Sequence, residues 1–149
     1  MLCRTVEGGK PRCFDYLNSE DWHSIEENKK SSHLEITKVK IDGYKNEVSH
    51  LYFPNWPDKG VPEDVSELDE LIIEAKMHHN IVIHCSAGLG RSGVVASILQ
   101  MIEKEEKDKG GVSVFETVRL LRESRFGAVQ NSQQYKLIYE FIDRYYSQQ

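Results

Sequence analysis

Ile81-Val82-Ile83-His84-Cys85-Ser86-Ala87-Gly88-Leu89-Gly90-Arg91-Ser92-Gly93 is the stretch on which the fold turns. Its opening Ile-Val-Ile predicts a short buried strand. Val94, Val95, Ile98 and Ile102 recur at helical spacing, which predicts a helix opening at Arg91 with those side chains in a core. Between strand and helix lies a loop carrying a Cys, two Gly and an Arg. Such a strand–loop–helix unit converges unpaired backbone N–H groups on one point, and the helix dipole favours an anion there. Gly88 and Gly90 are expected to supply the positive φ values of the nest. Cys85 at its floor then has its thiolate stabilised by the same N–H groups. Arg91 closes the ring, and its fork can hold two phosphate oxygens. A structural Cys beside an ordinary glycine turn is the blander account, but it leaves His84, Arg91 and Ser92 unexplained.

Asn55-Trp56-Pro57-Asp58-Lys59-Gly60-Val61-Pro62 reads as a loop, punctuated by two prolines and a glycine. Cleavage of an aryl phosphate leaves a phenolate, which a general acid protonates in the transition state. A thiolate and one carboxylic acid suffice for that step, and water attacks the phosphoenzyme with the same carboxylate as base. Asp58 is the candidate. A third segment, Arg125-Phe126-Gly127-Ala128-Val129-Gln130-Asn131-Ser132-Gln133-Gln134-Tyr135, leads into a helix with Asn131 as cap and Gln134 completing a capping box. A carboxamide donates to a phosphate oxygen and accepts from water at once, so Gln130 suits the placement of a hydrolytic water. Helix capping alone is the plainer reading of both glutamines.

His84-Cys85, five intervening residues and Arg91-Ser92-Gly93 resemble the active-site loop of the cysteine-based protein tyrosine phosphatases. The surrounding chain is similar to the tyrosine-specific branch. That resemblance implies Cys85 as nucleophile and Arg91 as phosphate-binding arginine. It makes Ser92 the aid to thiolate departure and His84 a residue that tunes Cys85. The amides of Ser86, Ala87, Gly88, Leu89 and Gly90, with Arg91, Gln130 and Gln134, become the substrate-binding set. Trp56-Pro57-Asp58 matches the family's closing loop, giving Asp58 the acid/base role and Trp56 a hinge position. Dual-specificity phosphatases usually lack this Trp, so the tripeptide favours phosphotyrosine. In the third segment the family's Thr is replaced by Asn131, while Gln130 and Gln134 keep the water-positioning roles.

Met1-Leu2-Cys3-Arg4-Thr5-Val6-Glu7, followed by Lys10-Pro11-Arg12-Cys13-Phe14-Asp15-Tyr16, is similar to a family strand and loop. By that likeness Glu7 pairs with Arg91 and steadies its fork; a solvated loop carboxylate is the alternative. Arg12 stands where the family has Lys, and Leu17 where it has Trp. The resemblance covers nearly the whole chain but only the carboxy-terminal part of a family domain. It therefore implies a single partial domain over 1–149, incomplete at its amino terminus, without the loop that sets pocket depth.

The chain has 149 residues and a net charge of −5, with a mean hydropathy of −0.54. That bounds it to one domain with a modest core. No basic stripe suggests nucleic acid, and no apolar run reaches membrane-spanning length. Three cysteines at unrelated spacings point to a reducing compartment, hence a cytoplasmic setting. The six histidines show no metal-ligand spacing, and the thiolate–carboxylate chemistry expected above needs no metal or organic cofactor.

Met1–Val6 and Arg12–Tyr16 are predicted to pair as strands, Leu34–Ile41 and Glu47–Phe53 to pair through Asp42-Gly43, and Asn18–Ser32 to be a mobile loop. Helices are predicted over Glu63–His79, from Arg91 to a stop at Gly110-Gly111, from Ser113 to Ser124, and over Gln133–Tyr146. Tyr135, Tyr139 and Tyr145 are assigned to packing. The fold class is α+β (α/β-like), a mixed sheet flanked by helices. The expected reaction is phosphotyrosine hydrolysis through a phosphocysteine, on a phosphotyrosine-containing protein. A phosphotyrosine-binding pseudophosphatase or inactive fragment, and a dual-specificity phosphatase, are the alternatives.

Overall fold

The computed structural model describes residues 1–26 and 28–148. Its strands are β1 (Val6–Glu7), β2 (Lys10–Pro11), β3 (Trp22–Ser24), β4 (Lys29–Lys30), β5 (Glu35–Ile41) and β6 (Val48–Tyr52). The helices are α1 (Leu68–Lys76), α2 (Gly90–Asp108), α3 (Val114–Ser124) and α4 (Ser132–Ser147), with 3-10 turns at Tyr16–Asn18 and Val65–Glu67. The α+β class is what the sequence predicted.

β5 and β6 pair antiparallel from Glu35↔Tyr52 to Val39↔Val48, joined through Gly43, whose φ of +76° closes the turn. β3 and β4 pair with the other side of β5. The stretch predicted as a mobile loop therefore holds two short strands, because β5 is long enough to template both; residue 27 lies outside the described residues. Beyond β6 the chain start takes the next place in the layer. Phe53 N–H donates to Met1 O at 3.0 Å, and Leu2 N–H donates to His84 O at 2.9 Å. Met1 and Leu2 thus bridge β6 to the segment that ends in Cys85.

The predicted strand Ile81–Ile83 is extended but not a regular strand, and it is not buried: Val82 is 91% exposed. Leu2 pairs one side of this segment, and nothing among the described residues covers Val82. The amino-terminal strand pair is also shorter than predicted. β1 and β2 form a hairpin closed by Gly8 and Gly9, both at positive φ, as a two-residue primed turn requires.

α2 touches α1, α3 and α4. Val94, Val95, Ile98 and Ile102 line the core as predicted, with Met101 beside them. Phe53, Trp56, Ile72, Ile138 and Phe141 complete its centre, and each such side chain contributes about 1.5–3 kcal/mol on burial. α2 begins at Gly90 and ends at Asp108; the stop predicted at Gly110-Gly111 falls one residue earlier, on Lys109, which caps the helix in the left-handed conformation. The predicted 63–79 helix is shorter: Asp64 caps the 3-10 turn Val65–Glu67 in a reciprocal box with Glu67, and α1 follows. Tyr135 and Tyr145 pack against the core, whereas Tyr139 is 47% exposed.

Candidate active site

Cys85 sits at the end of the extended segment, buried beneath the start of α2. Burial pushes its thiol pKa up. Hydrogen bonds from the Ser92 hydroxyl and N–H and from the N–H groups of Gly88 and Leu89 outweigh that, leaving the thiol below its usual value. The Ser92 hydroxyl is buried beside this thiol and makes no other hydrogen bond among the described residues. Gly88 has the expected positive φ of +69°. Gly90 does not; it opens α2, and its role is steric. A Cβ there would lie 2.5 Å from Gln130 Oε1 and 2.9 Å from Gln134 Nε2. The loop's outer carbonyls are clamped by Arg125, which donates to Ala87 O at 3.1 Å and Gly88 O at 3.3 Å. Sequence reading quoted Arg125 without a role.

Arg91 is buried and gripped bidentately by Glu7, at 2.7 Å and 3.1 Å, with a third bond to Trp56 O at 3.0 Å. The pairing inferred for Glu7 is therefore present. Burial would raise the Glu7 pKa, but the bonds from Arg91 and the Arg4 N–H bring it below the usual carboxylate value. The β1–β2 hairpin fixes Glu7 opposite Lys10, which is how the Gly8-Gly9 turn reaches the cradle.

Asp58 lies 3.6 Å from Arg91 Nη2 and forms a 2.8 Å ion pair with Arg12. Arg12 also stands 3.6 Å from Glu7, so both carboxylates share the two guanidinium groups. The loop bearing Asp58 is pinned at both ends. Trp56 is buried and its indole N–H donates to Gly60 O at 3.0 Å. Asn131 Nδ2 donates to Lys59 O at 2.8 Å, and Gln134 Nε2 to Gly60 O at 3.4 Å.

Asn131 caps α4 by accepting from Gln134 N–H at 2.9 Å. The reciprocal half of the predicted box is displaced by one residue, since Gln134 Oε1 accepts from Gln130 N–H at 3.0 Å. Just upstream, Val129 occupies a left-handed φ of +59°, which costs a β-branched residue about 1–3 kcal/mol. Arg122 holds it there by donating to Ala128 O and Val129 O, each at 2.8 Å. This strained corner turns Gln130 over Gly90.

His84 faces away from the nest. Its Nε2 is 2.6 Å from the Tyr16 hydroxyl, which also lies 3.1 Å from His50 Nε2. One O–H can donate to only one of the two rings, so the other ring donates to it. Burial and the Met1 ammonium lower the His84 pKa, against an opposing bond to Cys85 O; burial carries His50 down to about 4. An open cavity of about 470 Å³ adjoins the loop, lined in part by Ile83, Cys85, Ser86, Ser92, Ala96 and Leu121. Arg91, Asp58 and Gln130 are not in its wall, so it flanks the cradle rather than forming its mouth.

The model of the protein-tyrosine phosphatase family matches residues 1–144, and the chain belongs to that family. It is 28% identical to the tyrosine-protein phosphatase non-receptor type 20 of Rattus norvegicus over 95% of this chain and 37% of that protein. It is 32% identical to the receptor-type tyrosine-protein phosphatase C of Mus musculus over 97% of this chain and 13% of that one. Among solved structures, the catalytic domain of human protein tyrosine phosphatase non-receptor type 18 superposes with a TM-score of 0.80 at 26% identity, covering 97% of this chain and 58% of that one. Trypanosoma brucei TbPTP1 gives 0.80 at 27%, covering 96% and 58%. The chain thus spans little more than half of these solved domains. No helix among the described residues is long and apolar enough to cross a membrane.

Proposed function

We propose that the chain carries the phosphotyrosine-hydrolysing centre of a protein-tyrosine phosphatase, working through a phosphocysteine on Cys85. The observation that carries this reading is the convergence of a hydrogen-bonded, low-pKa Cys85 with an Arg91 fork locked by Glu7 and a carboxylate, Asp58, 3.6 Å from that fork. Loop amides from Ser86 to Gly90 and Arg91 bind the phosphoryl oxygens and stabilise charge in the transition state. Cys85 Sγ attacks phosphorus while Asp58 protonates the departing phenolate. Asp58 then accepts a proton from the water that Gln130 and Gln134 place, and Ser92 stabilises the thiolate as it leaves. The substrate class draws support from PTPN18, a structure of which holds HER2-pY1248 phosphopeptides and matches 97% of this chain at 25% identity. A metal ion has no part in these steps, and a reducing, cytoplasmic setting keeps the thiolate intact.

Residues 1–149 act in this reading as the carboxy-terminal part of one phosphatase domain, consistent with the 58% coverage of solved domains and the bare Val82. Aryl phosphate hydrolysis with and without chelator tests the chemistry. Turnover that persists in chelator and vanishes in Cys85→Ser supports it; a metal requirement overturns it. Asp58→Ala should lower turnover about 10²–10⁴-fold while prolonging the phosphopeptide complex. An unchanged rate and lifetime would point to a binding module, and equal rates on phosphoserine peptides to a dual-specificity enzyme.

A further inference from the structure

Cys3, Cys13 and His84 are far apart in sequence, yet one ligand atom from each lies within 4.8 Å of the others. Cys3 is fully buried, and Cys13 and His84 are half-buried. Nothing in the phosphatase chemistry uses either thiol. We propose that this trio is a binding site for a tetrahedral thiolate–imidazole metal ion, with Zn²⁺ as its occupant.

The donor set selects the ion. Two sulfurs and an imidazole suit Zn²⁺, whereas Mg²⁺ and Ca²⁺ want oxygen ligands, of which the trio has none. Zinc bonds of about 2.3 Å to sulfur and 2.0 Å to nitrogen put tetrahedral ligand atoms roughly 3.6–3.8 Å apart. From a separation of at most 4.8 Å, the trio reaches that spacing with a contraction of no more than about 1.2 Å. Ligating histidines are held by a partner on the other ring nitrogen; with His84 Nδ1 as ligand, turned from its 3.4 Å approach to Cys85 O, the Tyr16 hydroxyl 2.6 Å from Nε2 steadies the ring. Solvent supplies the fourth ligand.

The ion is a clip and not a reactant. It ties the chain start, the loop after the β1–β2 hairpin and the Cys85 segment. Those pieces must keep their relation for Glu7 to reach Arg91. Binding to the folded chain alone raises its thermal midpoint by mass action.

The test uses the whole chain carrying Cys85→Ser, so that the catalytic thiolate cannot bind metal and turnover plays no part. It is kept in a phosphine reductant and titrated with Zn²⁺ against a chromophoric chelator, then with Co²⁺ for its spectrum. One Zn²⁺ per chain, a thiolate-to-cobalt charge-transfer band and a raised thermal midpoint are expected. Cys13→Ser and His84→Gln should each weaken Zn²⁺ by more than the ~10–100-fold that loss of a supporting partner costs, and abolish the midpoint shift. Their metal-free midpoints, compared with the parent, show that they fold; Cys3→Ser, at a wholly buried position, is a supplementary variant. Unchanged affinity in Cys13→Ser overturns the site. So does Zn²⁺ held by the wild-type chain but lost in Cys85→Ser, which would put the ion on the catalytic sulfur.

Discussion

Glu7 and Arg91 form the pair on which the cradle depends, with side chains 13% and 3% exposed. Removing one partner of a buried pair leaves an uncompensated charge, at a cost of about 3–5 kcal/mol. Glu7→Ala should lose that much stability in denaturant titration. Glu7→Gln can still accept a bond from Arg91 and should fold better, yet lose roughly 10²-fold in turnover through a misplaced fork. Equal turnover in Glu7→Gln and wild type would show that the pair is structural only. At Cys85 the sign of the pH effect follows from its lowered pKa. The thiolate is favoured in the folded chain; its stabilising contribution is fully present above the ordinary thiol value of 9.0 and is lost as pH falls through the lower folded value. Ser92→Ala removes a lowering bond, so the midpoint of Cys85 alkylation against pH should move upward. A midpoint that stays or falls would contradict the assignment.

Among the elements, the acid-bearing loop and α4 are fastened by one side chain that does two things. Asn131 Oδ1 caps α4 while its Nδ2 holds Lys59 O. Thr is also a competent cap, but its one O–H sits on the capping oxygen itself, with no separate donor atom like Asn131 Nδ2 to reach Lys59 O. Asn131→Thr should therefore change stability by only a few tenths of a kcal/mol while loosening the loop and lowering turnover several-fold. Hydrogen exchange at residues 58–60 is the check, and unaltered exchange would dismiss the clamp. The sequence made α2, α3 and α4 legible because their apolar positions recur at helical spacing and two of them start on side-chain caps. It misled at Gly90, whose missing side chain makes room for two glutamines forty residues on. It read Asn18–Ser32 as a loop and so missed β3 and β4, which exist because β5 offers an edge and not through their own pattern.

The whole molecule leaves one flank of its Cys85 segment bare. Ile81 and Val82, read as buried from their composition, are 42% and 91% exposed. A residue so exposed contributes little, so Val82→Asp should alter the chain's stability by no more than about 0.5 kcal/mol. We expect the chain alone to unfold over a broad range, and co-expression with the amino-terminal part of a longer relative's domain to sharpen the transition. Val82→Asp should then weaken that rescue; an indifferent Val82→Asp, or a sharp transition without a partner, would contradict the expectation.

The cradle was readable in the sequence since Cys85, Arg91 and Ser92 are neighbours in the chain. Asp58 and Gln130 were candidates from their own loops, whereas Glu7 was paired with Arg91 only through a resemblance, because no local pattern announces a partner 84 residues away. Arg12, Arg125 and the Cys3–Cys13–His84 cluster escaped even that, being products of tertiary folding alone.

The central claim is that phosphate passes through the sulfur of Cys85. Acid-quench analysis during aryl phosphate turnover by Gln130→Ala, in which water attack is slowed, tests it most directly. Phosphate bound to the Cys85 peptide, formed together with one equivalent of phenol and absent in Cys85→Ser, is the predicted result. Phenol released by Cys85→Ser at an undiminished rate, or turnover with no phosphate on Cys85, would contradict it.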